Sequence, residues 1–80
     1  MDNKTKYKKA FIDALLIDES MLGGNLEYNT ITEWDSIGHM SLVAELEDNF
    51  EIMMEMDDII DINSYEKGVE ILKEKYNIIF

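Results

Sequence analysis

The chain has 80 residues, enough for a single domain set against the usual span of roughly 100 to 200 residues each. Its 18 acidic side chains against 7 lysines give a net charge of -11, which excludes a surface built for nucleic-acid phosphates. It has no cysteine, and so no disulfide framework, thiolate nucleophile or thiol metal site, while a 46% hydrophobic share is that of a folded domain rather than an acidic tail.

In chain order, Tyr7, Phe11, Ala14 and Leu15 recur at helical spacing and predict a first helix over residues 3–17. Asp18 to Trp34 includes Gly23-Gly24 and has no sustained period, so it reads as a long loop that has a function or packs on itself. Asp35 and Ser36 stand where a helix N-cap belongs, ahead of an apolar-periodic run that ends at Phe50. Asp57-Asp58-Ile59-Ile60-Asp61 allows a turn or two of helix. Asn63, with Glu66 three residues on, resembles a capping box that opens the last helix, where Tyr65, Val69, Leu72 and Tyr76 share a face. The expected fold is all-α, one domain over 1–80, a small four-helix bundle with three long helices and one short, and a long loop between helices 1 and 2.

No apolar run approaches the about 18 residues that cross a bilayer, and no signal-type leader is visible, so a cytoplasmic protein with no membrane partner is expected. Lys4, Lys6, Lys8 and Lys9 lie at one end of the chain and Lys67, Lys73 and Lys75 at the other. The stretch between them is an acidic block, suited to steering toward a basic partner or to solubility alone.

The helix that starts at Ser36 carries two apolar faces. Leu42, Leu46 and Phe50, with Val43 and His39, form the expected core face, and Ile37, Met40 and Ala44 lie roughly 150° away at 100° per residue. The second strip, beside Glu45, Glu47, Asp48 and Glu51, reads either as a docking surface with a charged rim or as scattered surface hydrophobes.

Trp34-Asp35-Ser36-Ile37-Gly38-His39-Met40 resembles the Asp-Ser-Leu signature of acyl carrier proteins and their peptidyl-carrier relatives, in a Trp-Asp-Ser form. The order of elements, including the Leu-Glu-Asp-Asn-Phe run that ends helix 2, agrees with that family's layout over essentially all 80 residues. Ile37 departs from the family's usual leucine by a swap of similar volume. The resemblance implies a carrier rather than an enzyme, with 4'-phosphopantetheine attached to Ser36 as a phosphodiester and an acyl group held on its thiol as a thioester. Its implied partners are a phosphopantetheinyl transferase, an acyl- or aminoacyl-activating ligase, and an acyltransferase or synthase, meeting a monomer through Asp35, Ile37, Met40, Ala44, Glu45, Glu47 and Asp48. On this reading lysine at Glu47 and Asp48 slows loading. A phosphate at a helix N-terminus meets free N–H groups, and Gly38 is expected to leave open space beside it. Without the resemblance, Ser36 reads as a plain helix-start serine.

The cargo is fatty acyl or aminoacyl, the latter fitting a specialised-metabolite or polysaccharide pathway. An unmodified acidic helical adaptor is the reading from another class. His39 has no partner for a catalytic role and is expected to pack or to anchor the loop, and Trp34 to close the loop over the core. Met53, Met54 and Met56 suit a variable pocket or core filling equally. Asp57, Asp58 and Asp61 lack the spacing of a calcium loop, so no metal site is expected.

Overall fold

In the computed structural model, which describes residues 2–23 and 25–80, α1 spans Asn3–Leu15. Asp2 opens it by accepting a hydrogen bond from the Thr5 backbone N–H at 2.8 Å, which satisfies one of the helix's free donors. Tyr7, Ala10, Phe11 and Leu15 form its buried stripe. The expected end at residue 17 is corrected to Leu15. Leu16 turns into the left-handed region at φ 55° and its N–H closes on the Ile12 carbonyl, so Ile17 reaches the core from beyond the helix. Ala14 is only half-buried.

The connection to the next helix is folded rather than loose. A single 3₁₀ turn covers Glu19–Met21, Gly23 takes φ 144°, and Gly24 lies outside the described residues. Glu27 forms an isolated antiparallel bridge with Ser64, in which the Tyr28 N–H donates to the Asn63 carbonyl and the Tyr65 N–H donates to that of Leu26, both at 2.9 Å. A turn over residues 29–34 closes through the Asn29 N–H and the Trp34 carbonyl. Leu26 and Trp34 are thereby driven into the core.

Next come α2 (Ser36–Phe50), α3 (Met56–Asp61) and α4 (Tyr65–Lys75). Leu42, Val43 and Leu46 are buried on α2 as the core face required, whereas His39 and Phe50 are half-buried. α4 is capped by Ser64, whose Oγ accepts from the Lys67 N–H at 3.0 Å, and not by Asn63. The reason is the bridge, which places the Asn63 carbonyl against Tyr28 and moves the helix start on by one residue. Tyr7, Phe11, Trp34 and Tyr65 meet mostly edge to face with ring centroids 4.8–5.3 Å apart, tying α1, the long connection and α4 together. The Tyr7 hydroxyl donates to the Tyr65 carbonyl at 2.6 Å, and burial pushes this phenol well above its usual range.

Among the described residues the domain is all-α, with three helices of 11 to 15 residues and one of six, and no helix is long and apolar enough to cross a membrane.

The acidic run of α3 hides a structural carboxylate. Asp58 is 3% exposed, accepting from the Lys75 ammonium at 2.8 Å and from the Tyr76 hydroxyl at 2.7 Å, while the Glu55 N–H donates to that same hydroxyl. These donors, Lys75 first, hold the Asp58 carboxyl below its ordinary 3.8, and the carboxylate in turn raises Lys75 above 10.5. A depressed acid stabilises the fold above its unfolded value, and that contribution is lost as pH falls through the folded one. Asp58→Asn is therefore expected to lower the melting temperature by about 5 °C at pH 7. In thermal melts against pH the gap should narrow below 3.8, and a gap that stays constant down to pH 2 would contradict the assignment.

Candidate functional site

The centre of the site is the first turn of α2. Asp35 is its N-cap in extended conformation, with Oδ1 accepting from the Gly38 N–H and the carbonyl accepting from the His39 N–H, both at 2.8 Å. The two intervening N–H groups, those of Ser36 and Ile37, have no acceptor within the helix. Ser36 is exposed beside them at the positive end of the helix dipole, a setting that favours an anion on its oxygen.

His39, one turn on, ties the surroundings to α2. Its Nδ1 accepts from the Trp34 indole at 3.0 Å and its Nε2 lies 2.7 Å from the Ile59 carbonyl of α3. The two hydrogen-bonded rings lie within 18° of parallel with centroids 6.1 Å apart, and Tyr28 stands edge-on to the imidazole at 5.4 Å. His39 thus anchors the loop, and Trp34 at 0% exposure closes it over the core.

Gly38 requires a correction. The expected open space is absent: a Cβ there would run into the Glu33 carbonyl oxygen and come within 3.1 Å of a Leu15 methyl. Glycine is needed so that the loop backbone can lie against the helix. The free side of the site is instead that of Ser36 itself.

On that side a groove of about 370 Å³ runs between α2 and α3, with Ser36, His39 and Met40 on one wall, Met56, Ile59 and Ile60 on the other, and Tyr28, Ile62 and Asn63 completing it. Apart from Ser36, Asn63 and the polar atoms of His39 and Tyr28, the lining is apolar. Of the residues weighed in the sequence, Ser36, His39, Met40 and Met56 border this groove. Ile37 and Met40 are 77% and 59% exposed, and Ala44 shares their exposed side.

The charged residues divide. Asp35 and Asp48 are exposed and Glu45 is half-buried, while the half-buried Glu47 accepts from the Met54 N–H at 2.9 Å and so clasps the turn after α2. A lysine at Glu47 breaks that turn as well as reversing a charge, which makes Asp48 the cleaner probe of the rim. The three methionines also separate: Met54 is buried, Met53 is 88% exposed, and Met56 lines the groove.

Tyr28, Ile59, Ile60, Ile62 and Asn63 line the groove although nothing in the sequence assigned them to the site. Tyr28 and Asn63 are brought together by a bridge between residues 37 positions apart, which no local period announces. The Ile59-Ile60 pair set among aspartates was the one signal available, and Ile60 is 67% exposed.

Comparison with known proteins found no matching family model, no matching curated protein and no matching solved structure.

Proposed function

We propose that the chain is an acyl carrier protein, a four-helix carrier domain whose long α1–α2 connection delivers Ser36 to the start of α2 for attachment of 4'-phosphopantetheine. The observation that carries this reading is the place of Ser36: an exposed hydroxyl residue at a helix N-terminus and at the mouth of an apolar groove. The residues present fit the group. The Ser36 and Ile37 N–H groups and the α2 dipole favour the phosphodiester, and the groove offers apolar walls with Tyr28 and Asn63 as polar contacts. When bound, the group supplies a thiol, which this chain lacks, and on that thiol an acyl group is carried as a thioester.

Ser36 is the attachment point, Asp35 fixes the turn that presents it, and Ile37, Met40 and Ala44 offer an apolar strip with Glu45 and Asp48 beside it. The acidic surface steers basic faces of a transferase, a ligase and an acyltransferase or synthase to this strip. Tethering then turns each transfer into a local event at raised effective concentration.

The test is intact mass after incubation with coenzyme A and a phosphopantetheinyl transferase of broad specificity, with Ser36→Ala alongside. Wild type is expected to gain one phosphopantetheine and Ser36→Ala none. A folded wild type that gains nothing from several such transferases overturns the reading and favours the adaptor.

A further inference from the structure

The groove beside Ser36 has a floor, and the floor contains a hydrogen bond whose direction can be assigned. The Trp34 indole can only donate, so His39 Nδ1 must accept and carries no proton. The ring proton is therefore on Nε2, which donates to the Ile59 carbonyl at 2.7 Å. This is the one hydrogen bond between α2 and α3 among the described residues.

α3 depends on such contacts. Six residues are too few for a helix that stands alone, and its N-terminus has no side-chain cap. On its far side it is held by Asp58 through Lys75 and Tyr76, and on the groove side by His39. For an acyl chain to pass from the groove into the core, α3 has to part from α2. That parting breaks the His39–Ile59 bond and leaves a half-buried N–H without an acceptor. Behind the imidazole stands Trp34, fully buried and packed against Phe11. The groove itself stays accessible to solvent, for Met40, Met56 and Ile60 on its two walls are 59%, 70% and 67% exposed.

We propose that His39 is a positioning residue that latches α3 to α2 and keeps the cargo in the open groove, outside the core, whatever its chain length. The inference rests on Ser36 as the attachment point. It makes this carrier one that presents its thioester to partners continuously, with Tyr28, Met40, Met56 and Ile60 as the surfaces along which the cargo lies.

A phosphopantetheinyl transferase of broad specificity moves acetyl- and octanoyl-phosphopantetheine onto Ser36 of wild type, His39→Phe and His39→Gln from the corresponding coenzyme A thioesters, with 3',5'-ADP leaving and intact mass confirming each product. Hydroxylamine cleavage is then timed and normalised to the free thioesters. In wild type the two chain lengths are expected to cleave at the same normalised rate. In His39→Phe, which keeps an aromatic ring but lacks both hydrogen bonds, the octanoyl form is expected to be protected about tenfold as the latch opens. His39→Gln, whose amide N–H reaches as far as the imidazole Nε2, restores the wild-type pattern. The single histidine and single tryptophan give a second readout, since the imidazole ¹⁵N shifts should show the Nε2–H tautomer and the indole N–H should not move between acetyl and octanoyl forms.

Failure to load overturns the Ser36 reading and the inference with it. Loading followed by octanoyl protection in wild type, by no protection in a folded His39→Phe, or by no restoration in His39→Gln overturns the latch alone. If His39→Phe does not fold, wild type still decides by its own dependence on chain length.

Discussion

Trp34→Ala is expected to remove a large share of the chain's stability. The side chain is fully buried, packs edge-on to Phe11 and donates the hydrogen bond that orients the His39 imidazole. Its backbone also closes the turn over residues 29–34. Removing so large a buried ring costs about 3–5 kcal/mol, against a total stability on the order of 4–12 kcal/mol for a domain of this size. The melting temperature should fall by about 15–30 °C. Because Trp34 is the chain's one tryptophan, circular dichroism at 222 nm rather than fluorescence is the suitable readout. Trp34→Phe keeps most of the ring volume and loses the donor, so it should sit between the two. A drop of under about 5 °C for the alanine variant would show that the ring is not the keystone of the core.

Gly38→Ala tests the first turn of α2 by the sign of its effect. In an unobstructed helix this change stabilises by about 1 kcal/mol, because alanine is the better helix former. Here the new Cβ meets the Glu33 carbonyl oxygen and a Leu15 methyl, so either the loop or the helix start must withdraw. The expected result is a net destabilisation of about 1–3 kcal/mol in urea titration. Slower transfer of phosphopantetheine should accompany it, since the obstruction lies two residues from Ser36. A stabilised variant with unchanged loading would refute the close approach of loop and helix.

The legible parts of this molecule are those written in local code. α2 could be read from cap to end because Asp35 and the spacing of Leu42, Leu46 and Phe50 state it within sixteen residues, and that placed Ser36 at a helix start. The loop-anchoring role of His39 and the core role of Trp34 followed from chemistry alone. Long-range pairing was not legible. The Glu27–Ser64 bridge chose Ser64 over Asn63 as the cap and brought Tyr28 to the groove, although the sequence around both is ordinary loop. Asp58 looked like its exposed neighbours, and only Lys75 and Tyr76, 17 and 18 residues later, distinguish it. The end of α1 is set by left-handed Leu16, a residue that rarely adopts that conformation and so gives no stop signal.

The bridge between residues 27 and 64 bears on how the chain comes into being. Synthesis delivers Ser36 and the whole of α2 before Ser64 exists, and closing a segment of this length precedes any of the contacts that compensate its entropy. On a ribosome, Tyr28 and the helix start that carries the serine both emerge well ahead of Asn63, against whose carbonyl Tyr28 is held at the groove. Any recognition that requires both is thus deferred until residues 63–65 have been made, which couples the N-terminal half of the site to the C-terminal part of the chain.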